Sequence, residues 1–197
     1  MPRIETSALA QLFHDARTHR AWRAEAVDDA TLRELWDLTS LGPTAMNTVP
    51  LRAVFVRSQA AKARLKPCLD AGNVDKTMAA PVTAIIAGDT NFHEQMATLA
   101  PHAPGMKDYF AGMPAEGRAA IASQGSSLQG AYFIVAARAL GLDCGPMGGF
   151  NRDGVDAEFL AETQWKSNFL INLGHGDPAG VHPRAPRLDF SFATRIL

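Results

Sequence analysis

The sequence predicts an α+β fold, and three observations carry that prediction. Helical periodicity dominates the chain. Only three short apolar runs have strand character. Those runs do not alternate with the helices as a regularly wound βαβ sheet requires. At 197 residues and 47% hydrophobic, the chain can bury a substantial core and most simply forms one domain, 1–197.

Taken in order, Ser7 is placed to cap a short helix whose Leu9, Leu12, Phe13 and Ala16 share one face. Asp28 or Asp29 opens a second helix, with Leu32, Leu35, Leu38 and Leu41 at three-residue steps and Gly42-Pro43 as the stop. Leu51–Val56 reads as a strand, followed by an Ala/Lys/Arg-rich helix that Pro67 limits. Pro81–Gly88 is apolar almost throughout, which suits a strand buried on both faces in mid-sheet. Residues 101–118, rich in Pro, Gly, Met and His, form the least regular stretch, either a candidate lid or substrate loop or a patch of local Met/aromatic packing. Ser126–Leu140 predicts a buried central helix ending at Gly141, and Gly141–Phe150 a glycine-rich loop. Asp153–Ala161 predicts a short helix and Ser167–Gly174 a third strand. The tail, Val181–Leu197, has little to bury by itself and is expected to wrap over something else.

Composition excludes several functions. A net charge of −1 with 20% charged residues offers no basic surface for nucleic acid or an anionic membrane. Two cysteines, Cys68 and Cys144, without CxxC spacing or a histidine cluster argue against a zinc site, any other metal, or a disulfide-built fold. No apolar run approaches a membrane span and the N-terminus lacks a signal-peptide core, so a soluble cytoplasmic protein is expected. There is no GxGxxG after a strand, no P-loop, no GxSxG elbow and no HExxH, so neither dinucleotide-fold nor hydrolase machinery is visible.

What remains is a pattern of arginines and glycines. Arg17 and Arg20 close the first helix, while Arg184 and Arg187 lie in the tail. The guanidinium fork matches phosphate oxygens well. Gly145, Gly148 and Gly149 lack a Cβ, which would let a flat ligand lie against the main chain, and consecutive amides there form a donor array. Together these features suit a phosphorylated aromatic cofactor. The competing reading is a non-redox protein that binds an anionic ligand in an Arg/Gly pocket.

In five ordered places the chain resembles the nitroreductase-like FMN oxidoreductase superfamily. The basic motif Arg-Ser-x-Arg/Lys-x-aromatic reads Arg17-Thr18-His19-Arg20-Ala21-Trp22. The motif Pro-Ser-x-x-Asn-x-Gln-Pro-Trp reads Pro43-Thr44-Ala45-Met46-Asn47-Thr48-Val49-Pro50-Leu51. Asn73-Val74-Asp75-Lys76 precedes a central strand, Gly141–Phe150 supplies a Gly-Leu…Gly-Gly-Phe loop, and Pro186-Arg187-Leu188 closes the set. Asp15–His19, Trp22-Arg23, Ala80–Ala84, Gly145–Met147 and Lys166–Asn168 are similar to the branch that holds the malonic semialdehyde reductase of pyrimidine utilisation and related NADH dehydrogenase/NAD(P)H nitroreductase proteins.

The resemblance implies an α+β sandwich with helices around a small central mixed sheet, and a homodimer with FMN at its interface. It also implies a C-terminal extension that crosses to the partner. Arg17, Thr18, Arg20 and Arg187, with Arg184, would hold the phosphate. Asn73 and Lys76 would reach the pyrimidine edge of the flavin. Pro146, Met147, Gly148 and Gly149 would lie against its ring, and Pro43, Thr44 and Asn47 on its ribityl and ring side. NAD(P)H would be the hydride donor in a ping-pong cycle, a small molecule the acceptor, and no catalytic acid or base is implied. The acceptor would be malonic semialdehyde, or quinones, nitro compounds or free flavin. Thr18 keeps the hydroxyl of the usual Ser, but Val49 and Leu51 replace the Gln and Trp that frame the flavin edge and substrate side in relatives.

Overall fold

The computed structural model describes residues 2–197. Its first helix, α1 (Thr6–Leu9), runs into one wider π turn, Ala10–His14. Ser7 is not its cap: Glu5 holds that position and no side chain caps it, because the helix begins two residues earlier than expected. The next helix, α2 (Asp29–Ser40), does start on Asp28, whose carboxylate accepts from the Thr31 amide at 2.7 Å. This replaces a bond that an N-terminal amide otherwise lacks, worth about 1 kcal/mol. Leu32 and Leu35 are buried, whereas Leu38 and Leu41 point outward, so the apolar stripe is wider than the core it meets.

Strand β1 (Leu51–Val56) leads through α3 (Gln59–Leu65) to α4 (Ala71–Ala79), a helix that the sequence pattern did not reveal. Next comes β2 (Val82–Asp89), buried at all eight positions as its unbroken apolar character predicts. Residues 101–118 are not an open loop. After α5 (Met96–Leu99) and a turn, they run through α6 (Met106–Ala111) into the start of α7 (Ala115–Ala139). Phe92, Met96, Phe110 and Ala122 make a small core of their own there, backed by Met106 and Met113. Phe110, Met106 and Met113 thus serve local packing, whereas Tyr109 stays exposed.

Helix α7 ends in a Schellman arrangement: the Gly141 amide donates to Arg138 and the Leu142 amide to Ala137. Gly141 takes φ +78°, which a side chain would oppose. The following residues are not all loop, since β3 (Asp143–Met147) is an edge strand. It tolerates Pro146 because an edge position need not donate on both sides. Helix α8 (Arg152–Phe159), capped by Asn151, and β4 (Trp165–Gly174) follow, with a single turn, α9 (Phe190–Ala193), in the tail.

The sheet order is β1-β2-β4-β3, and every pairing of these strands is antiparallel. The expected mixed sheet is therefore corrected within the chain: among the described residues the only parallel pairing is the isolated bridge Thr18–Cys144. Helix α7 packs with α2 over one face, around Leu35, Phe133, Ala137 and Ile171. The other face carries Leu65, Ile85, Val155 and Leu170. Full burial of each of these leucine, isoleucine, valine and phenylalanine side chains contributes about 1.5–3 kcal/mol. No helix among the described residues is long and apolar enough to cross a membrane.

Candidate functional site

The basic segment is pinned to the sheet edge by backbone. Thr18 bridges Cys144, the His19 amide donates to the Cys144 carbonyl at 3.0 Å, and Trp22 bridges Gly176. His19 turns inward, with Nε2 3.2 Å from Asp143, while Thr18 and Arg20 stay exposed. Alternation along an extended segment thus presents Arg20 outward and buries His19.

Tail and basic segment meet here. Arg184 donates to the carbonyls of His14 and Ala16 at 2.7 and 2.8 Å, and Arg17 and Arg20 both hydrogen-bond His182. A cleft of about 290 Å³ results, lined by Arg17, Thr18, Arg20, Arg138, Arg184 and Arg187 among others. None of these five arginines has a carboxylate at ion-pair distance among the described residues, although Arg52, Arg57 and Arg64 all do. Five guanidiniums gathered without a counter-charge repel one another, which an anion would relieve.

Arg138 was missed by the motif reading. It is the lone cation in the apolar run Ala131–Leu140 and donates to the Leu12 carbonyl at 3.0 Å. A charge interrupting a buried helical run was the signal available.

Helix α4 forms the adjoining wall. Asn73 donates to the Gly149 carbonyl at 2.7 Å, and a Cβ on Gly149 would sit 2.5 Å from that amide nitrogen. The Trp22 indole donates to the Lys76 carbonyl at 3.1 Å. Burial and the nearby Arg20 guanidinium hold the half-buried Lys76 amine below the ordinary lysine range. The cationic array therefore extends from the arginine cleft to α4.

Two glycine expectations change. The space beside Gly145 is filled by the His19 carbonyl and that beside Gly149 by Asn73 and Asp70, so protein rather than ligand approaches there; only Gly148 is open. Pro146 is partly exposed, whereas the Met147 side chain is buried against Thr77 and cannot offer its thioether to the cleft.

Pro43, Thr44 and Asn47 are not brought to this cleft. Their loop precedes Leu51, which pairs with Gly88, whereas Cys144 pairs with Leu173 opposite Val82. Val82 to Gly88 is six residue steps, roughly 20 Å of strand. The loop lies at the far end of the sheet, where Gly125 of α7 packs against Pro50 and Thr44. Its backbone is strained, with Met46, Asn47 and Val49 at φ 52°, 54° and 38°. Thr44 Oγ1 accepts from the Val49 amide, Asn47 Nδ2 donates to Leu99, and Arg52 links the Val49 carbonyl to Asp89 at 3.0 and 2.8 Å. Leu51 is fully buried in the core and frames no ligand in this chain.

No cluster of metal-binding side chains occurs among the described residues. Burial pushes the Cys144 thiol up to about 12, which leaves it a core residue without thiolate chemistry.

Known proteins share this architecture. The nitroreductase family model matches residues 15–175. A Ralstonia nicotianae protein provisionally named NADH dehydrogenase/NAD(P)H nitroreductase is 55% identical over 197 residues, covering all of both chains. A solved structure of a provisionally named nitroreductase from Exiguobacterium sibiricum, in complex with FMN, superposes with a TM-score of 0.86 at 19% identity over 100% of both chains. Another, of a provisionally named NAD(P)H:FMN oxidoreductase from Staphylococcus epidermidis, gives 0.85 at 18% identity, over 100% of this chain and 98% of that one. At such identities the two structures establish the common fold.

Proposed function

The chain belongs to the nitroreductase family, and from that premise we propose that it is an FMN-dependent NAD(P)H oxidoreductase, working in the cytoplasm as one domain over 1–197. The observation that carries this reading is the cleft of five arginines without a carboxylate. A cofactor ending in a single phosphate fits that donor set. FMN, when bound, supplies a hydride carrier between NAD(P)H and a second substrate.

Arg17, Thr18, Arg20, Arg187 and Arg184 hold the phosphate, and Arg138, which lines the same cleft, joins them. Arg184 also ties the tail to the N-terminal segment, so its loss acts on both. Asn73 fixes the turn after β3, and Lys76 would supply a cation that stabilises the negative charge of the reduced cofactor. Pro146, Met147, Gly148 and Gly149 shape the wall beside the ring through backbone, since the Met147 thioether is buried. None of these groups is assigned a role as catalytic acid or base.

Pro43, Thr44 and Asn47 serve the same site from a second subunit. The tail supports this: Leu188, Phe190, Phe192, Ile196 and Leu197 are all more than two-thirds exposed, too much apolar surface to leave in water. An open groove of about 580 Å³ beside the free edge of β1, with Leu32, Trp36 and Phe55 in its lining, gives a partner's tail a place to bind. The assembly is a two-fold dimer with two composite sites.

The acceptor is a small oxidised molecule, malonic semialdehyde reduced to 3-hydroxypropionate, with quinone, nitro or flavin reduction as the alternative activity. Acid release of the flavin, followed by NAD(P)H oxidation assays with malonic semialdehyde, a quinone and a nitroaromatic, tests the proposal. FMN near one per chain and the highest kcat/KM on the semialdehyde are expected. Release of FAD, or a protein that takes up no flavin, overturns the cofactor assignment. FMN with preference for the quinone or nitroaromatic overturns only the acceptor.

A further inference from the structure

Helices α4 and α7 end differently. An α-helix leaves its last four carbonyls without intrahelical partners. Helix α7 satisfies two of them through the left-handed Gly141. Helix α4 has no such residue: Ala80 is extended (φ −64°, ψ 140°), and Pro81 follows. Side chains from elsewhere substitute. The Trp22 indole takes the Lys76 carbonyl at 3.1 Å. Lys62, from α3, donates its ammonium to the carbonyls of Thr77 at 2.9 Å, Met78 at 3.4 Å and Ala80. Three N–H donors meet three orphan carbonyls.

Lys62 is only 2% exposed and has no carboxylate at ion-pair distance among the described residues. A buried, unpaired ammonium is costly, and what offsets it here is the negative end of the α4 dipole. Burial also lowers its pKa from the ordinary lysine value. One residue before the clamped carbonyls, Lys76 is held near Arg20, a like charge. Repulsion of that kind persists only where the backbone is fixed, because a frayed last turn would let the two cations separate.

We propose that Lys62 is a positioning residue for the redox chemistry: its ammonium locks the last turn of α4 and so holds the Lys76 amine beside the cofactor. This rests on the placement of Lys76 given under Proposed function. The flavin-loaded wild type, Lys62→Met, Lys76→Met and the double variant are compared by flavin midpoint potential, FMN dissociation constant and Tm. Lys62→Met should lower the potential in the same direction as Lys76→Met and weaken FMN severalfold. In the Lys76→Met background it should move the potential no further, while Tm falls in both backgrounds. Lys62→Arg, which keeps charge and donors, should recover most of the potential. If Lys62→Met lowers Tm and leaves the potential at the wild-type value, Lys62 is a structural cap and the proposal fails. Additive shifts in the double variant also overturn it, since Lys62 would then act independently of Lys76. An unchanged potential in Lys76→Met refutes the placement of Lys76 itself, and this proposal with it. Should Lys62→Met not fold, Lys62→Gln, which keeps two donors but not the charge, should lower the potential by a smaller step that vanishes in the Lys76→Met background; a step that persists there overturns the proposal.

Discussion

The two ends of the sheet carry two kinds of candidate site. At the β3 end, relaxed elements bring together charges that repel: the arginine cleft, α4 and the turn at Gly149. At the β1 end, a loop of mostly neutral residues is bent through three left-handed non-glycine positions and held by Thr44, Asn47 and the Arg52–Asp89 pair. One region stores electrostatic tension, the other conformational strain. Electrostatic tension needs a ligand of opposite charge and therefore suggests what binds. Strain of about 1–3 kcal/mol per residue shows that a shape is being kept without saying for what.

The largest effect is expected from emptying the basic end. Each guanidinium–phosphate contact is worth about 1.5–3 kcal/mol, so Arg184→Ala/Arg187→Ala should weaken FMN by roughly a hundredfold to ten-thousandfold. Fluorescence titration of the flavin reads this directly, and turnover at saturating FMN should fall far less. A loss below tenfold would mean that the tail arginines do not face the phosphate.

Complementation gives an intermediate effect and sharpens the comparison. If each site draws its basic end from one chain and its far loop from the other, Arg17→Ala/Arg20→Ala and Asn47→Ala homodimers should both be impaired. Unfolding and refolding the two together should restore one intact site per heterodimer. Activity of the mixture no higher than the mean of the two parents would show that the ends do not work together.

The smallest effect concerns strain alone. A β-branched residue at φ 38° is disfavoured, and asparagine tolerates that region better. Val49→Asn should stabilise the protein by about 1 kcal/mol, or roughly 2–4 °C in Tm for a chain of this size. A Tm that stays level or drops would move the strain of this loop elsewhere.

Much of the fold was legible because its signals are local. Asp28 caps α2, the apolar run of β2 marks a strand buried on both faces, and Gly141 stops α7. Helix α4 escaped notice because its sequence, Ala-Gly-Asn-Val-Asp-Lys-Thr-Met-Ala, has no clean apolar stripe and ends on borrowed side chains. Strand β3 was hidden by Gly145-Pro146, which reads as a turn unless the partner strand is known. Residues 101–118 were misread for the opposite reason: their composition suggests a loop, but their methionines and aromatics find one another in three dimensions.

For the candidate site, the sequence by itself determined the chemistry on offer: which residues can pair with phosphate, and in what order they come. Residue type fixes those properties wherever the side chain lands. Only the tertiary structure decided the grouping. It joined Arg138 to the tail arginines, turned Met147 and Leu51 into core, and set Pro43, Thr44 and Asn47 a sheet's length from the cleft. It also gave Lys62 its three carbonyls. Such contacts join residues far apart in the chain, and their energy depends on strand register and helix ends that no local pattern specifies.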